Sequence, residues 1–244
     1  MTAADPRPVQ PSADAPVLVG CSHGTDSPAG RAAVSSILDG VRAARPDLDV
    51  REAFVDVQQP AVAEVVAEAT RSGAAAVVVP LLMSTGFHAR VDIAAAVAGR
   101  RAAASRTLGP DARLVQILVD RLRQVGAGPG DAIVCAAAGS SDPLAATAVE
   151  QSLEALRAAW PHGPVSVGYG SASLPRIAEA VAQARRAGVT RVVAASYLLA
   201  PGFFHDKVSS AGADLVTAPL APDSRLVQVV LDRYAEAVAA LPQP

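Results

Sequence analysis

Aromatic side chains are scarce in this chain of 244 residues: Phe, Trp and Tyr together make up 3%. Single-stranded nucleic acid stacks its bases on such rings, so that partner would lack its platform. A charge excess is missing as well. The formal net charge is −2, without a basic run, which argues against nucleic acid and anionic membranes alike. Lysine occurs once, as Lys207, and Arg carries the remaining positive charge. Gly, Pro or polar positions interrupt every apolar run well before the ~18 residues that would mark a bilayer span. Residues 1–15 are rich in Pro, Ala and Asp. They lack the apolar stretch of a signal peptide and are expected to form a disordered lead-in. The two cysteines, Cys21 and Cys135, each fall in a run that reads as a buried strand. That usage points to a reducing, cytoplasmic setting more than to a disulfide framework.

What the chain does have is core material and a repeat. Half its residues are hydrophobic and 18% are charged, so Ala, Val and Leu must do most of the packing. Residues 17–28, VLVGCSHGTDSP, return as AIVCAAAGSSDP at 132–143, and LGPDARLVQILVDRL from Leu108 returns as LAPDSRLVQVVLDRY from Leu220. The period is about 115 residues, a length that suits a duplicated domain and exceeds a solenoid unit. The Gly-rich stretch Val125–Asp131 reads as the linker between copies. The expected division is therefore 16–126 and 127–244.

Within each copy, Val-rich runs alternate with helical patterns. In the first, strands are predicted at Pro16–Ser22, Val50–Val57 and Ala75–Met83, with a short one near Arg113–Ile117. Helices are predicted at Pro28–Ala44, capped by Ser27, at Pro60–Ser72, after His88 and at the end of the copy. This alternation predicts an α/β fold: two tandem doubly wound parallel sheets, related by a pseudo-twofold axis and facing one cleft.

In such sheets ligands bind beyond the carboxyl ends of the strands. The loop after the first strand carries Ser22-His23-Gly24-Thr25, the second strand ends at Asp56, and the loop after the third holds His88. Two of the four histidines and a carboxylate thus share one edge of one copy. In the second copy Ala138 replaces His23 and Ser171 stands near the Asp56 position, so only His205 remains, expected to face the cleft. His162, in a turn after Pro161, reads as exposed and without a role.

The segments VGCSHGTDSPAGR, AFVDVQQPAV and VVVPLLMSTGFHARVDI resemble the sirohydrochlorin cobaltochelatases and ferrochelatases, the class II tetrapyrrole chelatases, in their long two-copy form. The resemblance covers roughly residues 15–240. It implies insertion of a divalent metal, Fe2+ or Co2+, into sirohydrochlorin for siroheme or cobalamin biosynthesis. It also implies that His23 and His88 bind the metal and accept pyrrole protons, with Asp56 as a further ligand where relatives often carry Glu. No cofactor beyond the substrate metal is implied and no iron–sulfur cluster is expected, because the chain has no cysteine cluster. A fused pseudo-dimer implies a monomer. Imidazole suits such borderline metals and takes protons near neutral pH. The polycarboxylate substrate would need local donors: Arg90, Lys207, His205, and the backbone around Gly24 and Thr25 and around Gly139, Ser140 and Ser141.

Two other readings use overlapping residues. A metal or tetrapyrrole carrier would occupy the same cleft without turnover. A phosphohistidine enzyme also has His-Gly after a strand, but Ser22 stands where its phosphate-binding Arg belongs. No Gly-x-Ser-x-Gly elbow, Walker loop or Gly-x-Gly-x-x-Gly fingerprint is present.

Overall fold

A computed structural model describes residues 15–86 and 89–241, without the side chains of Ala89 and Arg90. Residues 1–14 of the expected lead-in, and His88, lie outside the described residues. The first half contains a parallel sheet of β1 (Val17–Ser22), β2 (Val50–Phe54), β3 (Ala76–Pro80) and β4 (Ala102–Ala104), in the order β2-β1-β3-β4. The second repeats it with β5 (Ala132–Ala137), β6 (Val165–Tyr169), β7 (Val192–Tyr197) and β8 (Leu215–Val216), in the order β6-β5-β7-β8. The central strands β1, β5 and β7 are buried along their whole length, as expected of strands covered on both faces. The sequence of connections reverses direction beside β1 and beside β5, which opens a crevice at those strand ends.

Helix starts follow local chemistry. The Ser27 side chain accepts a bond from the Gly30 amide at 3.2 Å and Pro28 opens α1 (Pro28–Ala44). Asp142 accepts from the Leu144 amide at 3.0 Å and Pro143 opens α5 (Pro143–Ala159). Between them lie α2 (Val62–Ala69), a π-helical turn (Ala89–Ile93) running into α3 (Ala94–Val97), and α4 (Ala112–Gln124). The second half adds α6 (Ile177–Arg186), α7 (Phe203–Ser209) and α8 (Ser224–Val238). Among the described residues no helix is long and apolar enough to cross a membrane.

The strand expected near Arg113–Ile117 is not formed. Asp111 caps a helix there, accepting from the Arg113 amide at 3.0 Å, and the buried Leu114, Val115, Leu118, Val119 and Leu122 recur at helical spacing. The fourth strand lies earlier, at Ala102–Ala104. Strand β2 also stops at Phe54, short of the expected Val57.

The two halves are stitched by their last helices. Helix α4, which ends the first copy, packs on α5 and β7 of the second; α8 returns the exchange by packing on α1, β3 and β4 of the first. Gly40 of α1 lies against Val227 of α8, where a Cβ would collide. One buried cluster consequently runs from Leu18 and Val77 through α4 and α8 to Ile133 and Val193. The outer faces have separate cores under α2 with α3 and under α6 with α7.

Paired arginines mark the same exchange. Arg113 binds Asp232 at 2.6 Å while its repeat-mate Arg225 binds Asp120 at 2.8 Å. Arg233 of α8 is 1% exposed and reaches the carbonyls of Thr107 and Leu108 and the carboxylate of Asp111. Arg121 of α4 binds the carbonyls of Pro219, Leu220 and Pro222 in the matching loop. The same surface patch is thus used twice, once by each copy, as in an isologous dimer interface.

Candidate functional site

The carboxyl ends of both sheets border one cavity of about 980 Å3, lined from the two halves together. That volume lies at the upper end of the usual range for small-molecule pockets. The chain's few aromatics gather on it. Phe54, Tyr169, Tyr197, Phe203 and Phe204 all line the cavity, leaving Trp160 and Tyr234 as the other described aromatics. Burial raises the pKa of both Tyr169 and Tyr197, so they present neutral phenol walls.

His23 is the first residue beyond β1, is exposed, and lines this cavity. Its backbone is fixed by an extension of the β1–β2 ladder: the Val55 amide donates to Ser22 O at 3.0 Å and the Asp56 amide to His23 O at 3.2 Å. The chain turns next at Gly24, whose φ of +89° places it in the left-handed region; Gly139 repeats this at +84°. Beyond β2, Val57 sits at φ +31° and its repeat-mate Ala172 at +54°. Left-handed backbone is costly for a β-branched residue. The turn over Val57 presents Gln58, whose Oε1 accepts from the Thr25 amide at 2.9 Å. Across the cavity Ser173 Oγ donates to Ser140 O at 3.0 Å. Each strained turn therefore carries a side chain that braces the loop bearing His23 or its counterpart Ala138.

Of the residues expected at the site, His23, Gly24, Thr25, Gly139, Ser140 and Ser141 line the cavity. The Thr25 amide is occupied by Gln58, so the free anion donor expected there is not available. Asp56 is exposed and outside the lining, because β2 ends before it and the chain bends away. The expectation that His205 faces the cleft is corrected: it lies on α7 with Nε2 at 3.2 Å from Thr217 O, away from the lining. Lys207 also lies off this cavity, with Nζ 3.2 Å from Gly170 O and 4.5 Å from the centre of the Phe203 ring. His88 and the side chain of Arg90 lie outside what is described. Among the described residues no three His, Cys, Asp or Glu side chains form a group able to hold a metal. Cys21 ends buried on β1 with its thiol pushed up to about 12 by burial and by Asp92, which keeps it protonated. His162 is exposed, edge-on to Trp160.

Glu52 was overlooked in the sequence, yet it lines the cavity and accepts from Ser35 Oγ at 3.4 Å. The signal was present: along β2 the apolar Val50 and Phe54 flank it at alternate positions, placing a carboxylate on the inward face. Its repeat-mate is Val167, so this carboxylate, like His23, belongs to the first half alone.

The CbiX family model matches twice, over residues 17–125 and 132–237. SirB from Bacillus subtilis with Fe3+ aligns at a TM-score of 0.74 and 21% identity, covering 90% of this chain and 94% of its own. CbiX, described as the terminal enzyme for biosynthesis of siroheme in denitrifying bacteria, aligns at 0.63 and 20%, covering 93% and 100%. DR2241 from Deinococcus radiodurans, a multi-domain protein with structural similarity to chelatases, aligns at 0.63 and 18%, covering 91% of this chain and 55% of that one. At these identities the likeness is one of fold: two tandem α/β units. No curated protein matches the chain.

Proposed function

The chain belongs to the CbiX family, and from that premise we propose that it inserts a divalent metal, Fe2+ or Co2+, into sirohydrochlorin. The observation that carries this reading is the asymmetric cavity of about 980 Å3: aromatic walls from both halves and a histidine from only one. A planar macrocycle needs apolar walls for its faces and a single polar side from which metal and protons are exchanged.

In this reading the macrocycle lies between the halves with its reacting centre toward the first. His23, supported by His88, holds the incoming metal and accepts protons leaving the pyrrole nitrogens. Imidazole ligands suit these borderline ions and release them more readily than thiolates. Glu52 on the inner wall receives the protons passed on, and Asp56 serves from the rim, where its exposure keeps it accessible to hydrated metal. The braces from Gln58 and Ser173 hold the two glycine loops in place, so the geometry exists before the substrate arrives. The division into residues 16–126 and 127–244 is kept as a chemical one, catalytic and supporting. We propose a monomer, because the duplication supplies both walls.

Absorbance of the purified chain with sirohydrochlorin under anaerobic conditions tests this. A spectral shift on adding Fe2+ or Co2+, faster than in buffer, is expected and ranks the metals. Macrocycle binding with metalation no faster than in buffer would overturn the enzyme reading in favour of a carrier.

A further inference from the structure

A second, smaller cavity of about 450 Å3 lies in the second half, between the start of α6 and the end of α7. It meets the large cavity at Tyr169 and Ser171, which line both. Two cations line it, Arg176 and Lys207. Arg176 is the residue before α6, and its backbone amide is satisfied by Glu179 at 2.9 Å. Its Nη1 is buried and has no hydrogen-bond partner. Lys207 makes only a carbonyl contact to Gly170 and its stacking on Phe203.

Neither side chain is paired with a carboxylate among the described residues. This sets them apart from Arg31, Arg45, Arg113, Arg185 and Arg225, each of which is paired with an acid. An unpaired buried guanidinium nitrogen costs free energy unless something answers it. Arg176 also belongs to one half only. The bridge Tyr169–Arg176 of the second sheet corresponds to Phe54–Ala61 in the first, so Ala61 stands where Arg176 would be. The amino-terminal turn of α6, with its positive end, borders the same space.

We infer that the Arg176–Lys207 pocket binds a carboxylate arm of the macrocycle held in the large cavity. This rests on the reading of that cavity as the sirohydrochlorin site. Planar guanidinium matches a carboxylate in two parallel bonds, while the ammonium supplies charge from the side. The second half, which lacks His23, thereby anchors and orients the substrate whose centre the first half metalates.

Equilibrium binding of metal-free sirohydrochlorin and of its uncharged methyl ester, to the full chain and to Arg176→Gln, Lys207→Gln and the double variant, tests this. Arg185→Gln on the outer part of α6 serves as control. Arg176→Gln is expected to weaken binding of the acid roughly tenfold or more, with the ester unaffected, and to raise KM while leaving kcat in place. Arg176→Lys should restore part of the loss. Equal affinities for wild type and variants, or equal loss for acid and ester, would overturn the pocket while leaving the proposed function standing. Failure of the wild-type chain to bind either form would overturn both.

Discussion

The two halves share a scaffold and differ in what they place on it. Both have the same strand order, a proline-opened helix after the first strand, a left-handed glycine in the loop before it, and a positive-φ residue after the second strand. Four of the differences fall around the two cavities. His23 faces Ala138, Glu52 faces Val167, Ala61 faces Arg176, and the exposed Asp56 faces Ser171. The first half thus places an imidazole and a carboxylate on the large cavity, and the second places Arg176 and Lys207 on the small one. On the proposed function, duplication frees one copy from chemistry while keeping it as a wall. The copy so freed acquires features that the other lacks.

The comparison can be broken hardest at the seam. Arg233 is buried against Thr107, Leu108 and Asp111, whereas Arg121 is partly exposed over the equivalent loop. Arg233→Ala should cost about 2–4 kcal/mol, since it leaves the Thr107 and Leu108 carbonyls unsatisfied in a buried site and removes one partner of Asp111, which Arg113 still holds. Arg121→Ala should cost roughly 1 kcal/mol. Urea unfolding of both variants measures the gap, and equal losses would show the seam to be energetically symmetric.

A functional asymmetry comes next. His23→Ala should lower metalation by roughly a hundredfold or more with the melting temperature unchanged, because an exposed loop side chain contributes little packing. His162→Ala should leave the rate untouched, and an equal loss there would remove the site assignment.

The smallest effect concerns acid. Burial raises the Asp111 pKa, but bonds from Arg113, the Arg113 amide and Arg233 outweigh it and hold the group at about 2, below its usual 3.8. The folded state therefore releases this proton more readily than the unfolded one. The resulting stabilisation is complete above 3.8, fades as pH falls toward about 2, and is absent below. Asp111→Asn should flatten the stability–pH slope within that window. Asp223→Asn should flatten it less, since Arg121 does not hydrogen-bond Asp223 as Arg233 does Asp111.

Much of this was legible in the sequence because it is local. Continuous apolar runs gave the buried strands, Ser27-Pro28 and Asp142-Pro143 the helix starts, and the repeat the pairing of two sheets. His23 could be placed because it follows a strand immediately. Asp56 could not, since its direction depends on where β2 stops, and that is settled by the turn over Val57. The register of the repeat also misled for His205: Phe203-Phe204 replaces the lone Phe87, and α7 begins early enough to turn the imidazole toward Thr217. Arg176 looks like any solvated charge at a helix start until the space around it is seen. The exchange of α4 and α8 was hidden for the opposite reason. LVQILVDRL and LVQVVLDRY are so alike that either helix could cover either sheet, and only the path of the chain decides.

That exchange imposes an order on synthesis. The part of the first sheet's inner face over β3 and β4 is covered by α8, the last helix described, some 120 residues after β4. At translation rates of about 5–20 residues per second, that face waits roughly ten seconds for its cover. The ribosome thus delivers the first half early but leaves it unfinished, with Val77 and Val79 awaiting a partner from α8. Each half therefore completes its core only with a helix from the other.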